Sequence, residues 1–319
     1  MSAPSTGSSG AVLAGHQYGK AENRVVRVVR DTSRHEIRDL TVSTTLRGDF
    51  EAAYLDGDQT KVLPTDTQKN TVYAQALQLA RGPVEEYALG LARHFVDDVA
   101  PVSGARVEVE EHTWVRAATT AGEHDHTFER GPATSRVSVA TVETGEDGSA
   151  AAVVVGGLKD MVLLKTTGSA FKDFLVDELT TLTPTEDRIM ATKLQARWRF
   201  DPACAAVGLD GQPYDWDGAH TAARSAMVEQ FATLESLALQ QTLWHMATAV
   251  LDAVPGIVEV RLSAPNLHHF AYDLARFGLE TTNEVFHADD RPYGHIHATV
   301  ERSGAPSAGA AWDAGTGLV

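Results

Sequence analysis

The sequence predicts an α+β protein made of two similar halves, and three observations carry that prediction. Valine-rich stretches interleaved with polar residues recur in pairs. Helical patterns with an apolar stripe separate those pairs. The order strand, strand, helix, strand, strand can be read twice along the 319 residues. The halves share no sequence identity, so the repeat is one of architecture only.

The first half opens with "ENRVVRVVRDTSRHEIRDLTVSTTLRGDF", which reads as strands over 22–30 and 35–46 joined by a short polar turn. Valines mixed with Arg and Thr suit a sheet with one wet face. "PTDTQKNTVYAQALQLA" reads as a helix start, with Thr65, Asp66 and Thr67 as capping candidates before Val72, Ala76 and Ala80. "GPVEEYALGLARHFVDDV" is a clearer helix: Pro83 suits its first turn, and Val84, Tyr87, Ala88, Leu91 and Phe95 form one stripe. Strands return at about 104–117 and 123–143. In the second half, "AAVVVGGLKDMVLLKTT" and 188–200 read as strands. One long helix is expected from Asp217 to Val254, with Met227, Phe231, Leu234, Ala238 and Trp244 as its stripe and Pro255-Gly256 as its stop. At about 1.5 Å per residue it would exceed ~50 Å. "IVEVRLSAPN" and "HIHATVER" close the half as strands. The small, polar ends, 1–15 and 304–319, are expected to be disordered tails around domains at 16–150 and 151–303.

Composition narrows the function. Hydrophobic residues make up 43% and charged residues 22%, enough apolar surface for a real core. A net charge of −16 argues against a nucleic-acid surface, which needs a basic stripe. An anionic substrate would need local cations to hold it against that field. No apolar run approaches the ~20 residues of a membrane span. The single cysteine, Cys204, permits no intrachain disulfide and points to a reducing compartment. Neither a secretory leader nor a peroxisomal ending is present, so a cytoplasmic, bacterial setting is expected.

One stretch, "TTGSAFKDFLVDELTTLTPTEDRIMAT" at 166–192, places the ring pair Phe171 and Phe174 near the cation Arg188, with no phosphate-binding glycine loop. A flat anionic ligand fits that pairing. Together with "YGKAENRV" at 18–25, "TDTQKNTVY" at 65–73, and "LSAPNLHHF" followed by "NEVFHADDRPYG" within 262–294, it resembles the urate oxidase (uricase) family over about 16–303. The resemblance implies the tunnelling fold: two tandem antiparallel-sheet-plus-helix domains, closing into a barrel when the chains assemble as a homotetramer. It also implies cofactor-free oxidation of urate by dioxygen to 5-hydroxyisourate and hydrogen peroxide, at sites between subunits.

Residue by residue, Phe171 matches the family's stacking ring. Arg188 matches the arginine that forks onto a carbonyl oxygen and ring nitrogen, and Gln240, with Leu239 beside it, the amide that reads the opposite edge. Lys20 and Thr65 match the family's catalytic base and its hydroxyl partner, His268 a third relay member, Asn266 the residue that holds dioxygen or water, and Thr65 with Asp66 the family's substrate-contacting pair. Each has a plainer reading: Phe171 in the core, Arg188 paired with Asp187 or Glu186, Gln240 on a solvated face, Lys20 at the surface, His268 as a structural histidine, Asn266 in a turn, Asp66 as a cap. Val176, Leu179, His287 and His295 depart from the family pattern. Two rival readings remain. "HDH" at 124–126 and "HIH" at 295–297 suggest a histidine-ligated metalloenzyme, and a non-catalytic purine or pterin binder would use Phe171 and Arg188 alone.

Overall fold

The computed structural model describes residues 10–145, 147–206, 212–280 and 283–313. The first half runs β1 (Tyr18–Val29), β2 (Glu36–Gly48), α1 (Glu51–Leu55), α2 (Thr65–Leu79), α3 (Val84–Asp98), β3 (Val102–Glu111), β4 (Trp114–Thr119), β5 (Gly122–Arg130) and β6 (Ser135–Thr144). The second runs β7 (Ala150–Lys165), β8 (Met190–Phe200), α4 (Pro202–Ala206), α5 (Trp216–Thr233), α6 (Leu239–Ala253), β9 (Ile257–Pro265), β10 (His268–Ala271), β11 (Phe286–Asp289) and β12 (His295–Glu301). Eight strands form one antiparallel sheet in the order β1-β2-β3-β6-β7-β8-β9-β12, so four come from each half. The sheet is open, with β1 and β12 as its edges.

Helices cover one face. The α3 stripe of Val84, Tyr87, Ala88, Leu91 and Phe95 is fully buried, as its spacing predicts. It joins Val72 and Ala76 of α2, Met227 and Phe231 of α5, and Leu243, Met246 and Val250 of α6 in one core shared by both halves. An ion-pair network reaches the seam: Arg136 on β6 donates from Nη2 to the buried Glu85 of α3 at 2.6 Å within the first half, and its other Nη crosses to the exposed Asp217 of α5. Glu85 is only 1% exposed, and burial pushes its carboxyl up to about 7 despite Arg136.

Four expectations differ from the structure. The strands expected at 104–117 and 123–143 each split, and β4 pairs β5 in a separate hairpin. The single long helix breaks at 234–238 into α5 and α6, and Trp244, placed in its stripe, is 56% exposed. Pro64 rather than a Thr or Asp side chain takes the cap position of α2, which has no side-chain cap bond. Finally, residues 304–313 of the expected tail are ordered. A 3-10 turn at Gly309–Trp312 lies on the sheet face away from the helices, with Ala311 buried. There Arg106 donates to the Ala311 carbonyl at 3.2 Å, Arg47 pairs with Asp313 at 2.9 Å, and Arg261 stacks 3.8 Å from the Trp312 ring. Trp312 also donates to Glu259, which is paired underneath with the buried Arg199. Of the tails, 1–9 and 314–319 lie outside the described residues.

Candidate active site

The candidate residues fall into two groups. Phe171 and Arg188 sit on the long connection between β7 and β8. Phe171 exchanges two main-chain bonds with Thr185, both 2.9 Å, which folds the connection back on itself. Its ring stacks on Phe174 at 5.0 Å and 20°, and the Arg188 guanidinium stands 5.0 Å from its centroid. Arg188 does not pair with its acidic neighbours: Asp187 instead accepts from Thr167 at 2.8 Å and from the Gly168 amide at 3.0 Å, and Glu186 pairs with Lys172. Burial lowers the Arg188 pKa, and its Nε is buried with no hydrogen-bond partner. A planar cation left with an unspent donor is suited to an anionic ligand edge.

The break between α5 and α6 brings in Leu239 and Gln240. Ser236 bridges Ser169, accepting from Ala170 N at 2.8 Å and donating to Gly168 O at 3.0 Å. The Lys165 ammonium donates to Leu234 O at 2.6 Å, at the C-terminal end of α5, where the helix dipole favours a cation. Leu239 is buried as the first residue of α6; Gln240 is exposed, while Gln241 turns back to accept from Leu237 N at 2.9 Å. Asn266 and His268 reach the same region through β8: Asn266 bridges Thr192, and Leu267 N donates to Ala191 O at 2.9 Å. The Asn266 amide lies 3.3 Å from His268 Nδ1, and the His268 ring stacks on Phe270.

Lys20, Thr65 and Asp66 form the second group. Gly19 lets β1 close onto β2 here, because a β-carbon would overlap the Thr44 carbonyl. Lys20 is then followed by a bulge, with Glu22 at φ 55. The Thr44 hydroxyl accepts from Lys20 N at 3.3 Å and donates to Gln68 Oε1 at 2.8 Å, fixing β1–β2 to the first turn of α2. Thr65 is half-buried beside the exposed Asp66, whose carboxyl is held low first by Lys69 and also by the charge of Lys20.

The groups lie far apart within one chain. β1 is the first strand and β8 the sixth, five spacings of about 4.8 Å, or roughly 24 Å along the sheet. Among the departures, Val176 and Leu179 are exposed, His287 pairs opposite Phe270, and His295 bonds Ser263 at 2.8 Å. Among the described residues no three or more His, Cys, Asp or Glu side chains converge as metal ligands, the paired histidines at 124–126 and 295–297 included. Sequence reading missed Thr44, Gln68 and Ser236 and offered Asp187 only as a partner of Arg188; these four polar residues hold both groups in place.

The uricase family model matches residues 16–141 and 154–297. Uricase of Arthrobacter globiformis is 43% identical over 300 residues, covering 94% of this chain and 93% of that protein. Uricase of Dictyostelium discoideum is 35% identical, with 92% and 98% covered. The Arthrobacter globiformis crystal structure superposes with a TM-score of 0.86 over 95% of this chain and 99% of that one. At 18% identity, urate oxidase of Bacillus sp. TB-90 has the same fold, with a TM-score of 0.79 over 90% and 100%. The chain belongs to the uricase family.

Proposed function

We propose that this chain oxidises urate, consuming one dioxygen and one water and releasing 5-hydroxyisourate and hydrogen peroxide. The observation that carries this reading is the gathering of Phe171, Arg188, Leu239 and Gln240 on one scaffold beside Asn266 and His268, in a uricase-family chain. Urate is a flat monoanion at neutral pH. Phe171 supplies a stacking face, Arg188 forks onto one edge, and the Gln240 amide reads the other. The monoanion must lose a further proton before it yields electrons to dioxygen. Lys20 takes that proton through the Thr65 hydroxyl, which both donates and accepts. His268 is the third member of that relay, Asn266 holds dioxygen or water over the ring, and Asp66 contacts the substrate beside Thr65. No cofactor is required by this scheme.

Separation of the two groups along the sheet supports a site completed by a second copy of the chain. We assign Lys20, Thr65 and Asp66 to one subunit and the purine-holding group to its neighbour, in a homotetramer whose open sheets close edge to edge. Each chain then contributes two tandem units, 16–150 and 151–303. No helix among the described residues is long and apolar enough to cross a membrane. The buried thiol of Cys204 and the bacterial relative fit a cytoplasmic enzyme.

The direct test is urate loss with oxygen uptake and peroxide formation in chelator-treated buffer. One oxygen consumed and one peroxide formed per urate is expected. Activity that vanished on exhaustive chelation and returned with one added metal would favour the metalloenzyme instead, and binding without peroxide would leave only a purine binder. Arg188→Ala is expected to act mainly on urate binding, by about 2–3 kcal/mol, because the fork is made in the ground state. Steady-state kinetics showing a fall in kcat at unchanged KM would reject that role.

A further inference from the structure

The purine-holding side is carried by three separate segments: the turn 168–171, the approach to β8 at 185–190, and the start of α6. Ser236 touches all of them. Its main chain holds the first segment through Gly168 and Ala170. Its hydroxyl donates to Ala238 O at 3.2 Å, accepts from Thr242 Oγ1 at 2.8 Å, and lies 3.4 Å from Met190 Sδ, two residues beyond Arg188. Both Ser236 and Thr242 are 0% exposed. A buried hydroxyl pair in an otherwise apolar helix junction has a cost unless its bonds are made, and here they are made toward the segments that bear Phe171, Arg188, Leu239 and Gln240.

We propose that Ser236 and Thr242 are positioning residues that set the distance between the Phe171–Arg188 face and the Leu239–Gln240 edge, and so set affinity for a planar purine. The inference rests on the urate-oxidising reading and deepens it. Neither hydroxyl touches the ligand. Thr242 sits one turn into α6, and its bond to Ser236 fixes where that helix begins relative to the turn 168–171. Removing the bond leaves both main-chain bonds of Ser236 intact, so the segments stay attached while their spacing loosens. The effect falls on ground-state recognition and not on the proton transfer assigned to Lys20.

The experiment uses the full chain and four variants: Ser236→Ala, Thr242→Val, Thr242→Ser and the double variant Ser236→Ala/Thr242→Val. Two quantities are read, the KM and kcat for urate and the equilibrium Kd for xanthine, a planar purine used as a probe of binding alone. Ser236→Ala and Thr242→Val should each raise KM and the xanthine Kd roughly three- to tenfold, as expected for one buried hydrogen bond, with kcat nearly unchanged. Thr242→Ser, which keeps the hydroxyl, should restore both values. The double variant should be no worse than either single one, because both act through the same bond. A loss of thermal stability with unchanged KM and xanthine Kd would overturn the proposal, as would additive effects in the double variant. Should Thr242→Val not accumulate as folded protein, Ser236→Ala, the removal of one oxygen, decides by the same two readouts. A wild-type chain that binds xanthine but leaves urate unoxidised would remove the catalytic reading while these binding comparisons still stand.

Discussion

Lys20→Met is expected to lower urate turnover roughly 10²–10⁴-fold, the usual worth of a positioned general base. The substitution keeps most of the side-chain length and removes the proton acceptor. Lys20 stands on edge strand β1, roughly 24 Å along the sheet from β8, so in the proposed assembly the loss falls on a site whose other side a neighbour would supply. That arrangement gives the prediction a second arm. A Lys20→Met chain still offers an intact Arg188 side, and an Arg188→Ala chain an intact Lys20 side. Each variant alone should be nearly inactive at urate concentrations below KM. Unfolded together in equal amounts and reassembled, they should regain activity, with about a quarter of sites intact under random pairing across a two-fold interface. Native mass spectrometry would establish that hybrids formed. Hybrids no more active than their parents would place both residues in one chain's site, or place Lys20 outside it.

The second large effect is on stability. Glu85→Ala should cost about 3–5 kcal/mol, because it strands the largely buried Arg136 with only Asp217 and the Trp216 carbonyl as partners. The retained Asp217 contact favours the low end of that range. Glu85→Gln should cost less and also change the pH dependence. The folded carboxyl, pushed up to about 7, lies above its ordinary value of 4.5, so folding takes up a proton between those values. Stability from this group is therefore present at acid pH and is lost as pH rises through about 7. Comparing melting temperatures of wild type and Glu85→Gln at fixed protein concentration from pH 5 to 8 isolates it. The wild type should lose more stability than the variant across that window. Parallel curves would mean that Glu85 keeps its charge throughout.

Strands such as β3, β8, β9 and β12 were legible because apolar residues alternate with polar ones along them. What escaped notice was set by contacts distant in sequence. The segment "FATLESLALQ" contains no Gly or Pro and keeps helical spacing, so it reads as uninterrupted helix. It breaks because Lys165 holds Leu234 and the Ser169–Ser236 bridge holds the following turn, both reaching across from the end of β7. Phe171 and Arg188 could be named from their motif, but the diversion of Asp187 to Thr167 and Gly168 could not. Likewise, Ser236 and Thr242 look like two ordinary small polar positions in a helix. The end of the chain is rich in Gly, Ala and Ser, with nothing local to announce that Trp312 would find Arg261 and Glu259.

That last contact bears on the order in which the molecule assembles. Arg106 meets Ala311 across 205 residues of sequence, and Arg47 meets Asp313 across 266. Contacts so remote are reached cheaply only after the intervening strands have paired, since closing the loop beforehand carries the full entropy of an unformed chain. Docking of Trp312 is thus expected to come late on the way to the native state. Interactions formed after the folding barrier do little for the speed of folding and chiefly slow escape from the native basin. The terminal turn is therefore expected to act as a latch on lifetime, its loss read in unfolding rates while refolding rates stay nearly constant.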